Sequence, residues 1–252
     1  PIYMHSGKRT EGRRTMDMDV TSRLADQRVT EWFLRERARS SQQQQEETSK
    51  PPAIHAVITI SRQFGAGGHT IAGMLAQRLG YPWQVWDKEI IDAIAQHAEM
   101  RKEMVESLDE HTQSWIEQMV SNILTLQVME PLGYRRHLSE VLLALAQQGH
   151  KIIVGRGANF VLKDALNVRL RASLEFRAQA TMKREGISHA AAIKQIHQVD
   201  RDRAEFTRSV FDRNVDDPSN YDMTLQVDTL GFPAAVEAIV GAAKAMFPGE
   251  IK

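Results

Sequence analysis

The run Ala56-Val57-Ile58-Thr59-Ile60 leads straight into Ser61-Arg62-Gln63-Phe64-Gly65-Ala66-Gly67-Gly68-His69-Thr70. It is short and nearly continuous in apolar and β-branched residues, as a strand covered on both faces requires. Beyond it Ile71, Leu75 and Leu79 recur at helical spacing, and Gly80-Tyr81-Pro82 closes the pattern. Strand, glycine-rich turn and helix in that order can hold a phosphate. Amides of the turn and of the helix start point at the anion, and the helix dipole favours it. Gly65, Gly67 and Gly68 admit close approach of an anion where a Cβ would clash. The spacing nevertheless departs from the P-loop pattern of Gly, four residues, then Gly-Lys-Ser/Thr. Arg62 stands where the first glycine should be and Gly68 where the lysine should be. A tight structural turn is the competing reading.

The rest of the body alternates in the same way. Strands are expected at Gln84–Trp86, Lys151–Val154, Asn167–Arg171 and Met223–Val227, with helices over roughly 88–99, 110–129, 134–148, 173–185, 188–212 and 233–246. That alternation implies an α/β fold with a parallel sheet and helices on both faces. Ahead of it, residues 1–16 read as a leader without periodicity, and a helix is expected from Asp17 to Arg39. Ala25, Val29, Trp32 and Phe33 make one apolar stripe on that helix, and a Gln/Ser-rich stretch ending at Pro51-Pro52 reads as a linker. The expected division is an N-terminal arm over 1–52, dispensable for folding, and a body over 53–252. The stripe packs on the body, or it docks a partner or a second copy of the chain.

Charge and composition exclude several classes. Lys+Arg and Asp+Glu are equal at 32 each, so nothing draws the whole chain to nucleic acid or to an anionic membrane. No Cys is present, which removes disulfides, thiolate metal sites and cysteine nucleophiles. No apolar run approaches the roughly 20 residues of a membrane span, so a cytoplasmic protein is expected. The nine His show no metal-ligand spacing.

Individual residues divide between chemistry and structure. Arg156 follows an expected strand, where open α/β sheets bind ligands, and a structural ion pair is its alternative. Asp87 also ends a strand; it either positions a metal or acceptor, or caps the helix from Lys88. Thr70 is a metal-ligand candidate or a satisfier of the helix start. Along the helix near 200, Ile196, Val199, Phe206 and Val210 share one face at 100° per residue, with Arg203 in its middle. Arg201, Glu205, Arg208 and Asp212 lie opposite and read as a solvated face. Arg177 and Arg184 share a helical face and are expected to be exposed, with Arg177 the nucleotide contact. Trp83 and Trp86 read as core.

Several segments together resemble the cytidylate kinases. Ala56 to Leu79 is similar to the opening of the bacterial enzymes, Ile152-Ile153-Val154-Gly155-Arg156 to a strand ending in Gly-Arg, and Asp200-Arg201-Asp202-Arg203 to an Arg/Asp-rich lid. Ala172 to Arg177 and Tyr221-Asp222 follow in the same order. A Ser-Arg-Gln turn with a Gly-Gly pair is similar to a cytidylate-kinase-like group within that family. The resemblance implies a P-loop nucleoside monophosphate kinase fold with an acceptor-binding helical region at about 88–148 and a lid at about 186–214. It implies ATP, Mg²⁺ and transfer to a nucleoside monophosphate, CMP or dCMP first. Gly65, Ala66, Gly67, Gly68, His69, Thr70 and Arg177 would hold ATP, and Asp87, Lys88 and Arg156 the acceptor. Arg62, Arg156 and Arg203 would neutralise the transferring group, and Thr70 and Asp87 would meet the metal.

The departures from that family are specific. Gly68 replaces its lysine, Val154 and Gly157 replace two acids, and Lys88 and Ala93 replace a serine and an arginine beside CMP. Arg62 is the expected substitute for the lost cation. A nucleotide-binding regulatory protein with little catalysis is the second reading, and a kinase for another small acceptor the third.

Overall fold

The structure is a computed structural model describing residues 21, 23–35, 55–125 and 132–251. The leader and the Gln/Ser-rich linker fall outside the described residues.

Strands β1 (Val57–Arg62), β2 (Gln84–Trp86), β3 (Lys151–Val154), β4 (Leu166–Arg171) and β5 (Met223–Gln226) form one sheet in the order β2-β3-β1-β4-β5. Every neighbouring pair is parallel, and Ile58 of β1 lies between Ile152 and Leu166. Alternate residues of β1 therefore serve two cores. Ile58 and Ile60 pack with Ile152, Val168 and the apolar faces of α2 (Gly68–Leu79) and α11 (Phe232–Met246). Val57 and Ile153 meet the other layer, made of α3 (Lys88–Gln96), α4 (Ala98–Glu106), α5 (Glu110–Thr125), α6 (Leu132–Gln148) and α7 (Ala158–Val161). A helical hairpin, α8 (Leu174–Glu185) and α9 (His189–Phe211), closes around the small cluster Ala178, Ala192 and Ile196, and a short α10 (Val227–Leu230) precedes α11. This is an α/β fold with a parallel sheet and helices on both faces, as the strand and helix alternation leads one to expect.

Helix α1, residues 23–35, joins the second core. Ala25, Val29 and Trp32 are buried together with Ile90, Ile94 and Met104, and Phe33 packs against them. Trp32 Nε1 donates to Ser107 Oγ at 2.8 Å, and Arg35 donates to the Pro82 carbonyl at 3.2 Å. The apolar stripe is spent on the body of its own chain, which argues against a dispensable arm.

Two boundaries differ from expectation. The single helix over 88–99 ends at His97, whose backbone is extended, and α4 starts directly after it. Arg101 Nη1 reaches back to the Ala95 carbonyl at 2.7 Å and pairs with Glu140, fixing the corner. By contrast α9 runs unbroken through Asp200, so the face assigned to Arg203 is preserved.

Candidate functional site

The carboxyl ends of β1, β2 and β3 open on a cleft of about 640 Å³, within the usual size of small-molecule sites. The glycine turn forms its floor, and Gly65 and Gly67 take the left-handed backbone at φ 80 and 79°. A Cβ on Gly65 would stand 2.9 Å from the Arg177 carbonyl, and one on Gly67 would enter the Phe232 ring. These glycines are thus required by packing within the chain as well as by any phosphate. Gly67 caps α2 without a side-chain hydrogen bond, so the helix opens on the cleft with its first amides uncapped.

Around this floor stand five fixed cations, Arg62, Lys88, Arg156, Arg184 and Arg203, against two carboxylates, Glu89 and Asp202. Arg62 extends from the end of β1, and among the described residues its guanidinium has no side-chain acceptor. Burial, and then Arg203 beside it, push Arg62 down to about 9, so it stays charged at neutral pH. Burial also lowers Arg203, whose Nη1 donates to the Arg62 carbonyl at 3.1 Å. An excess of partly desolvated cations is a demand for an anion. Arg156 has a left-handed backbone at φ 53°, lies 4.6 Å from the Phe206 ring centroid and pairs with Asp92 at 2.7 Å. Tyr134 holds the other oxygen of Asp92 at 2.7 Å. Arg156 is both a cleft residue and half of an ion pair.

Four of the expected residues need correction or relocation. Arg177 is buried rather than exposed and is absent from the cleft wall: it pairs with Asp200 and donates to the Phe64 carbonyl. Arg184, two helical turns further on, is exposed as expected but borders the cleft and lies 4.9 Å from the Phe64 ring centroid. Asp87 accepts from Ile90 N–H at 3.1 Å as the cap of α3 and does not line the cleft. Ala66 is buried beneath the turn, packed in the sheet core. The remaining expected residues, Arg62, Gly65, Gly67, Gly68, His69, Thr70, Lys88, Arg156 and Arg203, all line the cleft.

Sequence reasoning missed Phe64, Glu89, Asp202 and Phe206. Asp200 is a different omission, because its carboxylate accepts from Phe64 N–H at 2.8 Å while holding Arg177, and so fastens α9 to the turn. A polyphosphate fits the uncapped amides and the cations of the cleft, of which Arg156 and Arg184 also pair with Asp92 and Glu185 outside its wall. A magnesium ion on such a phosphate takes few protein oxygens, and the Thr70 hydroxyl and Glu89 carboxylate on the cleft wall suit it. Among the described residues no cluster of three metal-ligand side chains exists. No helix there is long and apolar enough to cross a membrane.

The chain is similar to several known proteins. The cytidylate kinase of Thermococcus sibiricus is 30% identical over 188 residues, covering 74% of this chain and 86% of that protein. That of Methanocaldococcus jannaschii is 25% identical over 184 residues, covering 67% and 86%. An uncharacterised protein from Eubacterium ventriosum has a similar fold, with TM-score 0.52 and 18% identity over 76% of this chain and 99% of its own. Residues 57–229 match the cytidylate kinase-like family, with the turn, the cationic cleft and the helical hairpin all inside that span, and the chain belongs to it.

Proposed function

We propose that this chain is a cytoplasmic phosphotransferase that moves the γ-phosphoryl group of ATP to a nucleoside monophosphate, CMP or dCMP first. The observation that carries the reading is the imbalance of five fixed cations against two carboxylates around the uncapped start of α2. Phosphoryl transfer needs positioning and charge neutralisation and no covalent intermediate on the protein. The turn at 62–70 receives the donor phosphates. Lys88 and Arg156, on the β2 and β3 side, orient the acceptor, and Arg156 is held in place by Asp92 and Phe206. Arg203 and Arg184 neutralise the group in flight from α9 and α8. Thr70 and Glu89 would hold a magnesium ion, which would supply charge neutralisation at the phosphates. Residues 53–252 form the catalytic body in this reading, with acceptor helices at about 88–148 and a lid at about 186–214.

ATP consumption across nucleoside monophosphates and nucleosides tests this directly. Turnover should be fastest with CMP or dCMP, and those acceptors should raise stability by about 2.7 kcal/mol at a hundredfold excess over Kd. Equal shifts with AMP, GMP and UMP would remove the cytidylate assignment.

One observation favours a second reading, a nucleotide-binding regulator with little turnover. Both positions of the missing acids are sterically closed, Val154 within the sheet and Gly157 against the Phe211 ring. Tight ATP binding with no consumption in any arm of the screen would select it.

A further inference from the structure

We infer that Arg62 and the absent side chain at position 68 are two exclusive solutions to one problem, so that the site runs on an arginine seated in space emptied by two glycines. The inference rests on the phosphotransferase reading for its ligand but on packing for its logic. Arg62 leaves the end of β1 and runs beside Gly68 at the start of α2. A Cβ built on Gly68 would lie 2.8 Å from Arg62 Cγ and 3.3 Å from Cδ. Those are atoms of the stem near the backbone, so the arginine cannot swing its tip aside to make room. Further out, a Cβ on Gly155 would collide with Arg62 Nη1. Gly155 is itself left-handed at φ 89° and donates its N–H to the Ile60 carbonyl at 3.0 Å, which fixes it against β1.

The guanidinium is therefore led between the β1 turn and the β3 turn by two bare backbones. It ends beside Gly155-Arg156, on the acceptor side of the cleft, not directly over the start of α2. A lysine from position 68 would approach phosphate from the helix start; Arg62 approaches from the sheet. Its charge stands at Gly155, next in sequence to Arg156, on the route of a phosphoryl group passing from a donor in the turn to an acceptor oxygen. A planar fork there can hold oxygens of both phosphates at once, which a point charge does less well.

The test is a swap. Gly68→Lys alone, with Arg62 still in its seat, should weaken binding of ATP and of inorganic tripolyphosphate by at least tenfold and lower the unfolding midpoint. Arg62→Gly alone should weaken both ligands by about ten- to a hundredfold. Arg62→Gly combined with Gly68→Lys should bind tripolyphosphate more tightly than either single variant, while CMP-dependent turnover stays below that of the parent. Calorimetry of both ligands and urea unfolding of all four proteins provide the readouts. Additive losses in the double variant overturn the exclusion, as does a Gly68→Lys protein with parental binding and stability. An Arg62→Gly protein with parental affinity for tripolyphosphate removes Arg62 from phosphate binding, whatever the acceptor. If the parent binds tripolyphosphate but phosphorylates no nucleotide, the swap still decides the role of Arg62 and only the kinase reading fails. A parent that binds neither ligand overturns both.

Discussion

At the scale of single residues, packing within the chain closes positions where the resemblance to cytidylate kinases implies an acid. Gly157 illustrates this. Aspartate tolerates a left-handed backbone better than most residues, so the φ of 62° at position 157 would be a modest obstacle to restoring an acid there. The Phe211 ring is the larger one, because a Cβ at 157 would enter it. Gly157→Asp should destabilise the fold by about 1–3 kcal/mol, the usual cost of overpacking, and Phe211→Ala in the same chain should recover part of that loss in urea unfolding. Asp228 gives a prediction of another kind. The Ser173 side chain, and then the Ser173 amide that donates to it at 2.9 Å, pull its carboxyl from 3.8 to about 2. A depressed carboxyl contributes stability above its unfolded value and loses it as pH falls through the folded one. The stability difference between parent and Asp228→Asn should therefore be constant above about pH 4 and shrink between pH 4 and 2. A difference that persists unchanged to pH 2 would show that the charge contributes nothing.

At the scale of elements, periodicity told which residues share a face but not what stands opposite that face. The five strands were legible because buried parallel strands have little sequence freedom, and the α2 start was legible from its glycines. The Arg203 face was legible too: Ile196 and Val210 are buried, while Arg201, Glu205, Arg208 and Asp212 are exposed. Arg184 is exposed as its helical face suggests, but Arg177 on the same face was misjudged, because the partner that buries it, Asp200, comes from α9. The corner at His97 escaped notice since no Gly or Pro marks it; the bond of Arg101 to the Ala95 carbonyl and its ion pair with the distant Glu140 do the marking. Glu89 and Phe64 gave no signal beyond proximity to the motif. The Asp200 bridge carries its own prediction. Asp200→Ala leaves Arg177 charged, largely buried and without its carboxylate, which should cost about 1.5–3 kcal/mol, the range for hydrogen bonds to charged groups. Because the other oxygen of the same carboxylate holds the turn, ATP affinity should fall as well, and Asp200→Asn, which keeps an acceptor for Phe64 N–H, should recover affinity more than stability. Unchanged ATP binding in the alanine variant would show that the turn stands without the bridge.

At the scale of the whole molecule, α1 and the helical hairpin occupy opposite ends of a range of burial. Trp32 is 1% exposed inside a core that spans α1, α3, α4 and α6, so Trp32→Ala should lower stability by about 3–5 kcal/mol. A urea midpoint equal to that of the parent would return α1 to the status of a loose arm. The hairpin is different. Its private core holds only Ala178, Ala192 and Ile196 as fully enclosed residues, and Phe64, Leu174, Met182, Ile187 and Ile193 complete it from partly covered positions. One of those five belongs to the glycine turn. A unit so thinly packed opens locally at a free energy well below that of global unfolding, and here every such opening uncovers the Phe64 ring of the turn and takes a carboxylate from its amide. Backbone amides of α9 should accordingly exchange with deuterium faster than those of β1. Ligand held by the turn should slow that exchange along the entire hairpin, although it touches only a few of the hairpin's residues. Occupancy of the cleft would then be readable at Ile187 and Ile193, where no ligand reaches.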